Sequence, residues 1–415
     1  MKKSIWILNH YAGSMLFERG GRHYALAKYL KRSGYEPVIF CCNAMHTEQK
    51  CHLPDADALW QERTEESAGF PFVFVKARTY SGNGASRVLN MADFSRNVQK
   101  AGKQYATVHG KPDVILASSV HPLTLLAGEK LAKYFGVPCI CEIRDLWPES
   151  IVQYSRFSRK NPVIRLLYRG ERYLYKRANA LVFTVEGAYD YILEHGWQNV
   201  ISREKVFYIN NGVDAEQFRE NREQYRVEDA DLEREDVVKI IYAGSIRKAN
   251  DIDLLLDVAK RTADLPVRYL IWGDGDQRER LQKRLVDEHI DNLVFKGRVN
   301  KTFVPYITSR ADINYLDVFQ DDIARFGISP NKLFDYVAAE KPILMAFSGK
   351  YNPLRDYSSG LVCGVTTDSI AAKVREYFTL TEEQKTQMAE DSARAAKRFD
   401  YATHAAALAE ILEQV

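Results

Sequence analysis

Phe326-Gly-Ile-Ser329-Pro330-Asn331-Lys332-Leu-Phe-Asp335-Tyr-Val-Ala-Ala-Glu340-Lys-Pro-Ile343 reads as a short helix that leads into a buried strand. Ser329 suits the N-cap and Pro330 the first helical position, which leaves the next backbone N–H groups facing outward at the positive end of the helix dipole. Lys332 adds a cation in the first turn. Asp335, three residues on, shares its face one turn deeper. A carboxylate there can accept hydrogen bonds from two vicinal hydroxyls, as a ribose presents them. The expectation is a site for a phosphorylated, hydroxyl-bearing ligand of the nucleotide-sugar kind. Taken alone, the same residues also describe an ordinary capped helix with a surface Lys332–Asp335 pair, so the surrounding chain has to decide.

Outward from this segment, short apolar runs alternate with helical periodicity. In the first half the runs are Ile5–Leu8, Val38–Cys42, Phe72–Val75, Val114–Ala117, Cys139–Ile143 and Leu181–Phe183, with helical stretches such as Tyr24–Lys31 and Leu123–Tyr134 between them. The pattern restarts at Lys239–Tyr242 and continues through Tyr269–Ile271, Leu293–Phe295, Ile313–Leu316 and Ile343–Met345, with helical stretches at Leu254–Lys260 and Leu281–Val286. This is α/β patterning of two doubly wound parallel sheets, each Rossmann-like. Asn210-Asn211-Gly212-Val213-Asp214 is a strong turn signal, and the polar run after it predicts a hinge. The expected domains are 1–210 and 237–397, joined by a 211–236 linker, with a last helix over about 398–415 returning to the first domain. Two such domains facing each other would enclose a cleft beyond the carboxyl ends of their strands.

The chain has 415 residues, 46% of them hydrophobic and 27% charged, which suits two globular cores. Lys+Arg 58 against Asp+Glu 55 leaves a net charge of +3, too mild to indicate nucleic acid as a partner. The six cysteines contain no C-x-x-C pair, and Cys139 and Cys141 alternate as buried strand residues, so reduced thiols in a cytoplasmic protein are expected. No signal peptide or membrane span is legible.

These features resemble the GT-B glycosyltransferases, specifically glycosyltransferase family 4. The resemblance covers essentially the whole chain and rests on ordered motifs: Gly20-Gly21-Arg22, Arg144-Asp145-Leu146-Trp147-Pro148-Glu149, Tyr208-Ile-Asn-Asn-Gly-Val-Asp214, Tyr242-Ala-Gly-Ser245, Gly273-Asp-Gly275, Phe295-Lys-Gly-Arg-Val299 and the opening segment. The Arg-Asp-Leu-Trp-Pro-Glu stretch looks like the subgroup that builds bacterial capsule, O-antigen and exopolysaccharide from UDP-linked N-acetylhexosamines. The resemblance implies a retaining, metal-independent hexosyl transfer from a UDP-sugar to a lipid-linked or saccharide acceptor, with no cofactor.

Charge accumulates on the leaving diphosphate in such a transfer, so cations and backbone N–H groups fixed nearby stabilise the transition state most. Candidates are Lys332, the backbone around Ser329, Pro330 and Asn331, and Arg247 or Lys248. Relatives often carry Gly-Arg and Lys-Gly after the first strand of the second domain, where this chain has Ser245 and Asn250. Gly20, Gly21 and Arg22 fall at a strand-to-helix loop that the resemblance assigns to the sugar and diphosphate. His121 takes the place of a histidine that touches the donor sugar; the other eight histidines, His10 and His23 among them, rank lower. Asp145 is placed to bind or deprotonate an acceptor hydroxyl, with Arg144 and Glu149 bracing the turn. Arg298 is the expected neighbour of the base, and Asp335 the ribose contact.

One departure stands out. The Glu-x7-Glu pattern of most members has Asp335 at its second position and Gly327 at its first, and Asp321 or Asp322 is the nearest carboxylate that could serve instead. Glu340 replaces the usual glycine after the helix and points to a different C-cap. Asp251-Ile-Asp253 and Asp274-Gly-Asp276 mimic a metal motif but precede helical runs, and read as caps; no metal site is expected. Arg156–Arg177 carries eight Lys/Arg against one Glu, interleaved with apolar residues. Such a helix can rest on anionic lipid as a peripheral membrane contact, meet a polyprenyl-diphosphate acceptor, or pack as an ordinary solvated helix. Two other functions fit the same architecture: a UDP-sugar 2-epimerase, and a nucleotide-binding assembly partner without turnover.

Overall fold

The computed structural model describes residues 2–44, 58–64, 69–82, 84–119, 121–155, 157–318 and 322–415. Cys51 and Asp321 lie outside them. The chain divides into two compact units, residues 1–210 with 401–415, and residues 211–400.

In the first unit eight strands form one sheet: β1 (Ser4–Leu8), β2 (Glu36–Cys42), β3 (Trp60–Thr64), β4 (Pro71–Val75), β5 (Val114–Ser119), β6 (Cys139–Ile143), β7 (Ala180–Phe183) and β8 (Val206–Tyr208). Their order is β3-β4-β2-β1-β5-β6-β7-β8. All neighbours are parallel except β3, which runs antiparallel to β4. The sheet's apolar strands are buried on both sides under covering helices, the arrangement that near-continuous apolar runs require. Trp6, fully interior, sets its ring against Phe40, Tyr105 and Phe135. The last helix, Tyr401–Gln414, lies on the helix Arg22–Arg32 and adds Leu408, Ile411 and Leu412 to a cluster with Ile5, Ile7 and Leu26.

The second unit holds six parallel strands: β9 (Val238–Ala243), β10 (Val267–Trp272), β11 (Leu293–Gly297), β12 (Ile313–Asp317), β13 (Ile343–Ala346) and β14 (Gly360–Cys363), in the order β11-β10-β9-β12-β13-β14. Two separate apolar clusters cover its two faces. The strand order reverses between β9 and β12, so the carboxyl ends there form the switch point where open sheets take ligands.

The polar run expected as a hinge is instead structured and belongs to the second unit. Asp214 caps the helix Ala215–Gln224, its Oδ1 accepting from the Gln217 N–H at 3.2 Å, and Phe218 anchors the helix in the core. Lys296 holds the following loop through Asp229 and Asp231, each at 2.7 Å. Low apolar content misled here because a few buried residues, Val213, Phe218 and Leu232, and a set of ion pairs suffice to fix the segment.

Glu340 also corrects the sequence reading. It takes the left-handed conformation, φ 56°, that the usual glycine would take, so the backbone turn is kept and the side chain strained. Glu340→Gly should therefore stabilise the second unit by about 0.5–1 kcal/mol. A denaturant midpoint that does not rise would count against this.

Candidate functional site

The helix of the opening segment spans Asn331–Ala338, one residue later than predicted, with Pro330 at the N-cap position in extended conformation. Ser329 is not the cap. Its Oγ accepts from the Asn211 N–H at 2.9 Å and its carbonyl from Asn211 Nδ2 at 2.8 Å, tying the loop to the Asn-Gly-Val-Asp turn. Tyr336 fastens the helix to β9 by accepting from the Ala243 N–H at 2.9 Å. Asn331 is exposed at the helix start.

Lys332 points inward. Its Nζ donates to Asn250 Oδ1 at 2.7 Å and Tyr242 Oη at 3.0 Å and sits 4.5 Å from the Tyr242 ring centre. An ammonium has three donors, so one remains for a ligand. Burial pushes the lysine down to about 8, with Asp317 pulling the other way. Asn250, which stands where relatives often carry Lys-Gly, thus orients a cation from another element. Its Nδ2 donates to Ser245 Oγ at 3.0 Å and to the Ser245 carbonyl at 2.9 Å, locking the exposed loop after β9.

That loop meets the one after β10 backbone to backbone. A Cβ on Gly273 would fall 1.8 Å from the Gly244 carbonyl oxygen, and one on Gly275 would fall 2.1 Å from that of Ile246. The Gly-Asp-Gly motif is therefore a packing requirement at the switch point. Arg247 and Lys248 are exposed and line a cavity of about 410 Å³ together with Asp251, Asp253, Gln277 and Arg280.

Asp335 has no hydrogen bond to its carboxylate among the described residues, and burial raises its carboxyl above the usual range while Lys301 opposes that. Arg298 is exposed at the end of β11. Gly327 has φ 109° and ψ 172°, a conformation open only to glycine. The loop is built differently from one that carries glutamate, so the carboxylate is absent by backbone design. Asp322 is exposed, with its carbonyl accepting from Arg325.

The Asp-x-Asp readings need partial correction. Asp251 stands at the N-cap of the helix Ile252–Arg261 but makes no side-chain cap bond, and Asp253 instead receives Arg280 and Arg284. Asp274 accepts from the Gly275 N–H at 2.9 Å and pairs with Arg278.

In the first unit, the loop after β1 leads through Gly20 and Gly21 into the helix Arg22–Arg32, with Gly21 at its N-cap position. Arg22 is not available to a ligand. It is 3% exposed, its Nε donating to Glu142 Oε1 at 2.8 Å and its terminal nitrogens to the carbonyls of Ile209, at 3.0 Å, and Asn210. Glu142 also accepts from His23 Nε2 at 2.7 Å and Ser118 Oγ at 2.6 Å. The arginine follows a glycine pair as a phosphate-binding residue would, but the buried glutamate two strands away claims it. Nothing in the local sequence signals that pairing.

His121 follows β5 at the N-cap position of the helix Pro122–Phe135 and is wholly interior. Its Nε2–H donates to His10 Nδ1 at 2.9 Å, and His10 Nε2–H donates to Asn90 Oδ1 at 2.8 Å. Burial, assisted by Arg87, pushes His121 down to about 3, which keeps it neutral and excludes it as an acid near pH 7. Asp145 is exposed, rimming a cavity of about 20 Å³ beside Ser119, Trp147 and Glu171, and its surroundings raise its carboxyl above the usual range against Arg144 and Arg87. Glu149 braces the turn through Arg159 at 2.9 Å and His195 at 3.2 Å.

The residue that sequence reasoning missed is Asp317, the last of β12, interior and acting through space on Lys332. A single acidic residue ending an apolar run was the available signal. Among the described residues one group has metal-ligand proximity, Glu129 with Cys139 and Cys141, all buried; Arg177 already pairs with that carboxylate at 3.1 Å. Cys41, Cys139, Cys141 and Cys363 are free thiols.

The family described as "Glycosyl transferase 4-like domain" matches residues 20–212, and "Glycosyl transferases group 1" matches 237–379. Among curated proteins none matches the sequence. Similar solved structures include sucrose-phosphate synthase from Thermosynechococcus elongatus, with TM-score 0.71, 13% identity, and coverage of 100% of this chain and 99% of that one. Anabaena HepE in complex with UDP and glucose has TM-score 0.66, 14% identity and full coverage of both chains. WaaG, a glycosyltransferase involved in lipopolysaccharide biosynthesis, has TM-score 0.63, 14% identity, and coverage of 98% and 99%. At these identities the likeness speaks for the fold.

Proposed function

Because this chain joins a glycosyl transferase 4-like domain to a group 1 glycosyl transferase domain and so belongs to the glycosyltransferases of GT-B fold, we propose that it moves a sugar from a UDP-linked donor to a hydroxyl of a lipid-linked or saccharide acceptor, with retention. The observation that carries the donor side is Lys332, an interior ammonium with one open donor, one helical turn from the unbonded Asp335 carboxylate. Lys332 and Arg247 or Lys248 meet the diphosphate, Asp335 the ribose hydroxyls, and Arg298 the base. An N-acetylhexosamine donor in surface-polysaccharide synthesis rests on the Arg144–Glu149 motif.

In the reaction the bond between the anomeric carbon and the phosphate oxygen breaks while the acceptor oxygen bonds the same face. The electron pair goes to the diphosphate, where Lys332 offsets it. Asp145, exposed at the rim of its pocket, hydrogen-bonds the acceptor hydroxyl and takes its proton as the oxygen bonds the anomeric carbon. No step calls for a metal or cofactor.

A membrane-bound acceptor suits the helix Pro162–Arg177. Among the described residues no helix is long and apolar enough to cross a membrane. This helix, however, exposes Val163 at 63%, Leu166 at 66% and Tyr173 at 54%, flanked by exposed Arg165, Arg169, Arg172 and Lys176, while Ile164 and Leu174 hold it to the core. An amphipathic face with cations around apolar residues matches an anionic lipid surface on the inner side of a cell membrane.

A panel of UDP-sugars with membrane extract should release UDP without added metal. UDP binding without turnover on any donor would favour an assembly partner, and isomerised donor without acceptor an epimerase. Asp335→Ala should weaken UDP binding by about 1–3 kcal/mol, since two ligand hydroxyls lose their acceptor; an unchanged Kd by calorimetry would refute the ribose assignment.

A further inference from the structure

Asp317 ends β12 with 2% of its surface exposed, and among the described residues no side chain hydrogen-bonds its carboxylate, the adjacent Val318 N–H alone acting on it from the backbone. A carboxylate in that state is costly unless it takes a proton or faces a cation. The groups that face it are Lys332 from the helix Asn331–Ala338, Asp251 from the start of the helix Ile252–Arg261, Tyr242 from β9, Tyr315 from its own strand and Cys363 from β14. Lys332 is the cation among them. Ammonium and carboxylate act on each other through space, while Tyr242 and Asn250 hold the ammonium by direct bonds.

We propose that Asp317 is the positioning counter-charge of Lys332, and that it releases the ammonium to a ligand phosphate by taking up one proton from solvent when a nucleoside diphosphate binds. This deepens the nucleotide-sugar reading and rests on it. Burial, then Asp251, raises the Asp317 carboxyl to about 7, with Lys332 opposing. Its lysine partner lies near 8. Two neighbouring groups of opposite sign therefore titrate close to neutrality. A diphosphate adds negative charge beside both, which favours the charged lysine and the neutral acid. Burial outweighs the one backbone contact, from the Val318 N–H, that would hold the carboxylate ionised, which leaves the exchange possible.

The test is a carboxyl ¹³C NMR titration of the full chain. Without ligand, the Asp317 signal should titrate near neutrality, and in Lys332→Met its midpoint should rise because the opposing cation is gone. With saturating UDP, the wild-type midpoint should rise by about one unit or more. An Asp317 that stays ionised throughout, or a midpoint indifferent to Lys332, overturns the pairing. A midpoint unmoved by bound UDP overturns the proton uptake. A chain that does not bind UDP refutes the nucleotide reading, and the ligand-free titration still decides whether the two residues are paired. In turnover, Asp317→Asn should move the alkaline limb of the kcat/KM profile to lower pH, since Lys332 loses the group that sustains its charge; an unmoved limb argues for a purely structural residue.

Discussion

Lys332→Met should lower kcat about 10²–10³-fold, the effect of removing one donor aimed at charge that develops in the transition state. Methionine preserves the length and apolar stem of the side chain, so Tyr242 keeps its packing and only the ammonium is lost. The fall should appear more in kcat than in UDP affinity, because the leaving diphosphate carries more charge in the transition state than in the ground state. Lys332→Arg should not rescue it. The site offers a tyrosine hydroxyl and one amide oxygen set for a compact ammonium, and a planar fork with five donors does not share that geometry. The pH profile adds a second readout. Burial depresses this lysine from the ordinary value to about 8, so the cation is present below that pH and disappears as pH rises through it. Wild-type turnover should decline across that window, and the methionine variant should lack the decline. Equal kcat in wild type and Lys332→Met would remove Lys332 from the mechanism.

Glu142→Gln should destabilise the first unit by about 3–5 kcal/mol, the usual cost of breaking a buried ion pair from one side. Glu142 is 1% exposed and collects Arg22 and His23 from one helix and Ser118 from a neighbouring strand. With glutamine in its place, the interior Arg22 guanidinium keeps its carbonyl partners but loses its counter-charge. Burial alone would raise the Glu142 carboxyl; Arg22, then His23 and Arg144, outweigh it and hold the group well below the usual range. A depressed acid contributes stability above its unfolded value and loses it as pH falls through the folded one. Wild type should therefore lose this margin on acidification, and the variant should show no such loss from this site. Tryptophan fluorescence under denaturant reports the transition, since Trp6, Trp60, Trp147 and Trp197 lie in this unit. An unchanged midpoint would make the network dispensable.

The contrast between Arg22 and Lys332 shows where local reading succeeds. Both follow glycine or proline turns and both read as anion contacts. Lys332 keeps an open donor because its bonding partners, Tyr242 and Asn250, are neutral. Arg22 is consumed by a charged partner 120 residues away, and separation along the chain hides such a pairing. Strands β3, β8 and β14 escaped the sequence for a different reason. They are edge or near-edge strands, short or polar, and gain their pairing from a neighbour rather than from their own apolar content.

By itself the sequence determined the parallel strands of both sheets, though not the antiparallel β3 at the edge of the first, because an apolar run buried on both faces has few other ways to hide its surface. It also placed Lys332 and Asp335 on one helical face, a matter of periodicity alone. Only the tertiary structure decided which charges remain available. Burial sets that together with groups brought from distant elements: Glu142 withdraws Arg22, burial with Arg87 nearby keeps His121 neutral, and an interior Asp317 acts through space on Lys332. Periodicity acts over a few residues and is written locally, whereas the cost of an unpaired interior charge depends on everything that surrounds it.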